Sequence, residues 1–197
     1  MKNSKWDATR AYHEAGHVVA AWCLELEVDS ATIIPDGELA GQVKIKPEDP
    51  STDDAIAQGD RWDPARLRAE KLVMFGQAGE VAQWLYNSYS VRRRHSQDDR
   101  EKYIGLLRNY APDEKKLDVR PHNQLLCNWT AHLITQHWHL VEAVANALHE
   151  RRKLSGAQIL DVIRTASQEP TGINVQPLLD AVRFIRQRRK GSESGGR

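Results

Sequence analysis

Apolar residues recur at three- and four-residue steps over most of the chain, which is the spacing of amphipathic helices. The most apolar of these stretches covers residues 7–26, and we expect the first helix there. A second helix is predicted over 64–87, because Asp63-Pro64 is a typical helix start, a cap followed by a first-turn proline. Further helices are expected over residues 96–110, 121–153, 157–166 and 177–189.

Between the first two helices the pattern changes to the alternation of a half-buried strand. Residues 30–35 predict one short strand and residues 39–46 a second, in which Val43 and Ile45 alternate with lysines. Residues 47–62 are acidic and contain prolines, so a loop is expected. The predicted fold class is therefore mainly α, with a small two- or three-stranded β element after the first helix.

The 197 residues fit one domain, which we place at residues 1–189, with a Gly/Ser-containing tail at 190–197 that is expected to be disordered. Hydrophobic residues make up 40% and charged residues 28% of the chain, and the formal net charge is +1. This balance is typical of a globular protein and gives no reason to expect a nucleic-acid partner.

Cys23 and Cys127 show no paired spacing, so neither a disulfide framework nor a cysteine metal site is predicted. No apolar run reaches the roughly 18 residues that a membrane-spanning helix needs, and the chain starts without the apolar stretch of a signal peptide. We therefore expect a cytoplasmic protein without membrane insertion.

The first predicted helix carries His13-Glu14-Ala15-Gly16-His17. Histidines four residues apart lie one turn apart on the same helix face, so both imidazoles can bind one metal ion. Imidazoles favour zinc, which acidifies a bound water, and Glu14 beside His13 is placed to accept the proton of that water. The competing interpretation is an amphipathic helix that carries two histidines and a glutamate by chance. The apolar residues after His17 favour a buried helix, in which imidazoles need partners.

Two later carboxylates are candidates for a further role. Glu80, on the second predicted helix, could be a solvated residue, a residue that orients a zinc-bound histidine, or the third zinc ligand. Asp99 follows Ser96 by three positions, which is the spacing of a helix-capping pair, so it could satisfy a helix start or bind the metal.

The order of these motifs resembles the peptidase domain of FtsH-type ATP-dependent zinc metalloproteases. The resemblance is carried by the segment from Ala11 to His17, by Ile33-Ile34-Pro35 and by the stretch from Gly76 to Glu80. Residues 141–156 are similar to the closing helix of that family and its exit, and the similar region spans roughly residues 8–163. The resemblance implies a helical metallopeptidase domain.

The resemblance also implies site residues. In that family two motif histidines and a downstream aspartate at a helix start bind zinc, and the motif glutamate is the catalytic base. Carried over, His13 and His17 bind Zn²⁺ and Glu14 is the base. Asp99 is the predicted third ligand, and Asp98 and Glu80 stay open as alternatives.

The choice of Asp99 depends on the face of the helix that follows it. With Asp99 as ligand, Tyr103 takes one of the inward-facing positions of the family, whereas Asp98 would turn Lys102 inward. The chain also departs from the family pattern. Gln77 stands where the family has an arginine, and residues 94–96 replace its threonine-glycine-alanine, which leaves the loop around the third ligand undefined.

The expected function is a zinc-dependent metalloendopeptidase that acts on protein or peptide substrates, with the strand at 39–46 either covering the first helix or docking an extended substrate. A chain of this length is not expected to include the ATPase and membrane segments of the family, so an ATPase partner in trans and a homo-oligomer stay open. The alternatives are a protease dedicated to one regulatory partner and a non-catalytic interaction module.

Overall fold

The computed structural model describes residues 5–36, 41–47, 64–90, 103–108 and 118–168. It is mainly helical with a small antiparallel sheet, as the sequence predicts. The helices are α1 (Lys5–Cys23), α2 (Pro64–Tyr86), α3 (Arg120–Gln136), α4 (Trp138–Arg151) and α5 (Gly156–Gln168), with one helical turn at Ser88–Ser90 and a short helical segment at 103–108. The strands are β1 (Val28–Thr32), β2 (Gln42–Ile45) and β3 (Lys153–Ser155).

The first helix, α1, is the centre of the fold and packs against α2 and α4. Its buried positions include Ala11, Ala15, Val18 and Val19, a run that repeats every three or four residues. Gly16 brings α1 very close to α2, because a Cβ added there would lie 2.5 Å from the carbonyl oxygen of Ala78. A helix this deeply buried fixes the direction of every side chain on it.

The three strands form one sheet in the order β2-β1-β3, with both pairs antiparallel. Thr32 is opposite Gln42 on one side and Lys153 on the other. The prediction of two or three strands is confirmed, but the third strand comes from residues 153–155, which the sequence placed at the end of a helix. A three-residue strand is too short to show alternation.

The helical region that the sequence predicts over 121–153 is not one helix. The chain divides it at His137 into α3 and α4. The backbone of His137 leaves the helical region, and its Nδ1 lies 3.0 Å from the carbonyl oxygen of Leu133. Apolar residues continue at helical spacing on both sides, so periodicity alone does not reveal the break. The second half ends at Arg152, whose φ of 64° is left-handed.

Ser155 caps α5, as predicted. Its hydroxyl accepts a hydrogen bond from the Gln158 backbone at 3.4 Å, and Gln158 Oε1 accepts one from the Ser155 backbone at 2.9 Å. This reciprocal pair is a capping box. Within the described residues, no helix is long and apolar enough to cross a membrane. The predicted loop at 47–62 beyond residue 47, the predicted helix at 177–189 and the tail at 190–197 lie outside the described residues. Of the helix predicted over 96–110, only residues 103–108 are described, and these are helical.

Candidate metal centre

The structure brings the imidazoles of the two motif histidines together, as the helical spacing predicts. His13 and His17 lie one turn apart on α1, and their Nε2 atoms are 3.2 Å apart. Two Zn–N bonds of about 2.0–2.1 Å at a tetrahedral angle separate the two nitrogens by roughly 3.3 Å. The spacing in the structure therefore matches that of two nitrogens on one zinc ion.

His17 is held by a backbone acceptor. Its Nδ1–H donates a hydrogen bond of 2.7 Å to the carbonyl oxygen of Phe75 on α2. Burial, and after it the neighbouring His13, lower the pKa of the His17 imidazole to about 3, while the Phe75 hydrogen bond opposes the shift. His17 is therefore neutral at physiological pH, which is the state that binds a metal.

His13 is held by a side-chain amide. Its Nδ1 lies 2.8 Å from Gln83 Oε1, also on α2. Because a carbonyl oxygen can only accept, the Nδ1 atoms of both histidines carry the proton in this arrangement. In the neutral state the Nε2 atoms of both histidines then carry lone pairs that face each other, an arrangement that a shared cation would stabilise.

Gly79 makes room for the pair. A Cβ added to Gly79 would lie 2.7 Å from His13 Nε2 and closer still to His17 Nε2. Phe75, Gly79 and Gln83 follow one another at four-residue steps on α2, so one face of this helix offers a carbonyl, a gap and an amide to the two imidazoles. We call this face the α2 cradle.

Glu14 lies against the backbone just before β2. It is buried, with 6% of its surface exposed. Desolvation raises the pKa of its carboxyl to about 8. A Cβ added to Gly41, just before β2, would lie 2.5 Å from Glu14 Oε1 and 2.9 Å from the carbonyl oxygen of Thr32. The backbone at Gly41 therefore lies close against the carboxylate, and Gly41 also lies near Thr32 of β1.

A third zinc ligand is not identified among the described residues. Within them, no group of three or more His, Cys, Asp or Glu side chains could hold a metal ion, so Glu80 does not join His13 and His17. Glu80 is half-buried on α2, beside Gly79. Asp98 and Asp99 lie outside the described residues.

The structure adds residues to the site that the sequence did not suggest, namely Gln83 and the carbonyl of Phe75. Both residues lie one turn from Gly79 in the sequence, and this spacing was the available signal. A glutamine or a backbone carbonyl is not recognisable as a site group until the histidine that it contacts is known. Gln77, which replaces the family arginine, is buried and donates a hydrogen bond of 2.9 Å to Asn123 on α3. Its role in the structure is to join two helices.

Comparison with known proteins does not identify a family. A scan against protein-family models gives no match, and a search of curated proteins gives no significant relative. The resemblance to FtsH-type peptidases therefore stays a prediction.

Proposed function

We propose that this protein is a zinc-dependent metalloendopeptidase. The observation that carries the proposal is the 3.2 Å distance between the Nε2 atoms of His13 and His17, on the helix that also carries the buried Glu14. The acceptors at both Nδ1 atoms assign the protons to Nδ1 and leave Nε2 to bind a metal. Zinc, when bound, supplies a Lewis acid that acidifies a water and polarises the carbonyl of the scissile bond.

Glu14 is the proposed general base. Its carboxylate takes a proton from the attacking water and passes it to the amide nitrogen of the leaving group, so that the peptide bond breaks with no net gain or loss of protons. In the zinc-free protein desolvation raises the pKa of the Glu14 carboxyl, and a bound cation would favour the ionised form that acts as the base.

Asp99 is the third ligand that we propose. The Tyr103 ring lies against Gly76, and Gly76 is one turn before Gly79 on α2. Asp99 precedes Tyr103 by four residues, so in a helix that includes both it would share the face of Tyr103. A carboxylate oxygen from this position would complete the mixed nitrogen and oxygen ligand set that zinc uses in hydrolases.

An extended protein segment is the proposed substrate. β2 is at the edge of the described sheet, and Gly41 at its start lies against Glu14. A peptide added along β2 would therefore pass the proposed base, and only an extended, flexible segment can add as a strand. This arrangement supports the substrate-docking interpretation of the predicted strand at 39–46.

The test combines metal content with proteolysis. Purified protein should bind about one zinc per chain, and it should cleave casein, which is an unstructured substrate. The Glu14→Gln variant should keep the zinc and lose about 10²–10⁴-fold in cleavage rate, the usual contribution of a general base. Cleavage that persists in Glu14→Gln would remove the mechanism, and zinc binding without cleavage in the native protein would favour an interaction module.

We also propose a reducing, cytoplasmic setting. Neither Cys23 nor Cys127 forms a disulfide among the described residues, and Cys127 is buried. Burial raises the pKa of the Cys23 thiol to about 11, which keeps it in the unreactive protonated form. Cell fractionation would test this location, and recovery of the protein in an oxidising compartment would contradict it.

A further inference from the structure

Three hydrogen bonds connect His13 to a backbone carbonyl just beyond the end of α2. His13 Nδ1 lies 2.8 Å from Gln83 Oε1, and Gln83 Nε2 lies 3.0 Å from the hydroxyl oxygen of Ser90. The Ser90 hydroxyl in turn lies 2.7 Å from the carbonyl oxygen of Asn87. Ser90 belongs to the helical turn at Ser88–Ser90, which directly follows α2.

The direction of each bond follows from the last one. The Asn87 carbonyl can only accept, so the Ser90 hydroxyl donates to it and has its lone pairs left for Gln83. The amide nitrogen of Gln83 therefore faces Ser90, and its oxygen faces His13. An oxygen in that place requires a proton on His13 Nδ1, which leaves Nε2 bare.

We propose that Gln83 and Ser90 are positioning residues that hold His13 in the tautomer that binds the metal. The proposal rests on the zinc site of the proposed function. We call the two side chains the Gln83–Ser90 relay. Neither touches the reacting atoms, and the relay acts only through the orientation and tautomer of His13.

The relay distinguishes His13 from its partner in the site. His17 has a backbone acceptor, which no substitution at Phe75 removes, whereas the acceptor for His13 is a side chain that is itself oriented by a second side chain. Groups of this kind typically change metal affinity by about 10–100-fold when they are lost. A neutral amide also places less negative charge on the imidazole than a carboxylate would.

Four variants test the relay. Gln83→Leu removes the acceptor at similar volume, Gln83→Glu keeps an acceptor, and Ser90→Ala removes the group that orients the amide. Gln124→Leu is the matched control, because Gln124 is also a half-buried helical glutamine, and its side-chain amide donates a hydrogen bond of 3.1 Å to Asn128.

Two readouts avoid any dependence on activity. The first is zinc affinity, measured by competition with a chromogenic chelator at pH 7.5. The second is the tautomer of each imidazole in the zinc-free protein, read from ¹⁵N NMR shifts of His13 and His17 at pH 8. Thermal unfolding by circular dichroism shows which variants are folded.

Gln83→Leu should weaken zinc binding about 10–100-fold and shift His13 toward the Nε2–H tautomer, while His17 stays in the Nδ1–H form. Ser90→Ala should weaken binding in the same direction by a smaller factor, about threefold to tenfold. Gln83→Glu should bind zinc at least as tightly as the native protein, and Gln124→Leu should bind it unchanged. If Gln83→Leu fails to fold, Ser90→Ala and Gln83→Glu decide the matter.

Native-like zinc affinity and an unchanged His13 tautomer in Gln83→Leu would overturn the relay. This failure differs from failure of the proposed function. A native protein that binds zinc and cleaves casein, with Gln83→Leu equal to it, keeps the function and removes the relay. A native protein that binds no zinc, with His13 changing tautomer in Gln83→Leu, keeps the relay and removes the function.

Discussion

The two sides of the candidate site position their groups by different means. On the α2 side, the cradle holds each imidazole with one directed hydrogen bond and leaves a glycine gap for both rings. On the sheet side, Glu14 lies against the backbone at Gly41, and burial rather than a charged partner raises the pKa of its carboxyl.

This difference separates two properties that a metallopeptidase needs. Directed hydrogen bonds fix a tautomer and a ring angle, and these determine metal affinity. Desolvation changes how strongly a carboxylate holds a proton, which determines the efficiency of a base. Changes in the α2 cradle should therefore alter metal binding, and changes near Gly41 should alter proton transfer alone.

The largest effect is expected from Gly79→Ala. The added methyl group would occupy the space of both Nε2 atoms, so the imidazoles must move or the helices must separate. We expect zinc affinity to fall by more than about 100-fold, and the free energy of unfolding to fall by about 1–3 kcal/mol because of overpacking. Chelator competition and urea denaturation measure the two quantities.

Gly105→Ala is the matched control, because a Cβ added to Gly105 meets nothing within 4 Å. Gly105 lies in the helical segment at 103–108, so the substitution should stabilise the protein by about 0.5–1 kcal/mol and leave zinc affinity unchanged. Native zinc affinity in Gly79→Ala would show that the cradle does not hold the imidazoles as described.

The second prediction concerns the sheet side. Gly41→Ala would place a methyl group against Glu14 Oε1 and the Thr32 carbonyl oxygen, and so displace the carboxylate. A displacement of about 1 Å in a catalytic group can cost on the order of 10²-fold in rate. We expect kcat for casein cleavage to fall about 10–100-fold and zinc affinity to change less than twofold. A parallel loss of zinc would mean that the two sides cannot be separated.

The third prediction is a pH dependence of stability in the zinc-free protein. The raised pKa of Glu14 means that the native state binds more protons than the unfolded state between about pH 4.5 and 8, so its contribution to stability falls as pH rises through this window. The lowered pKa of His17 has the opposite sign, and its contribution to stability rises with pH between about 3 and 6.5.

In the native protein the two slopes oppose each other between pH 4.5 and 6.5, and above 6.5 stability should fall toward pH 8. Glu14→Gln removes the Glu14 slope. At pH 8 we expect the zinc-free variant to be more stable than the native protein by roughly 1–3 kcal/mol. Urea denaturation in the presence of a chelator measures this difference, and a native protein without any decline from pH 6.5 to 8 would contradict it.

The sequence predicted the half of the site that one helix carries. His13, Glu14 and His17 are separated by less than two turns of α1, so helical geometry alone places the imidazoles together and the carboxylate beside them. The sequence alone does not assign neighbours to Gly76 and Gly79. In the structure, the two imidazoles of α1 lie at Gly79, and the Tyr103 ring lies at Gly76.

The other half of the site depends on contacts between distant segments. Gln83 lies 70 residues from His13 in sequence, and nothing in the local pattern of α2 indicates which face meets α1. The break at His137 and the third strand were missed for a related reason. Apolar spacing indicates which residues are buried. It does not indicate where a backbone carbonyl accepts a hydrogen bond from a donor outside its own helix.

The smallest predicted effect is at the outer end of the cradle, where Tyr86 stacks on Tyr12. The two ring centroids are 3.9 Å apart, with an angle of 10° between the planes, and Tyr12 is the residue before His13. Tyr86→Leu keeps an apolar side chain but loses the stack, which typically contributes about 0.5–1.5 kcal/mol beyond the buried area. We expect a loss of stability of about that size in urea denaturation.

Zinc affinity should change less than threefold in Tyr86→Leu, because the hydrogen bond between His13 and Gln83 does not involve the ring. Tyr89→Leu is the control, since Tyr89 is 99% exposed and its substitution should change neither quantity. A tenfold loss of zinc affinity in Tyr86→Leu would mean that ring packing on α1, and not the directed hydrogen bond, positions His13. That result would make the α2 side similar to the sheet side, where contact and burial do the positioning.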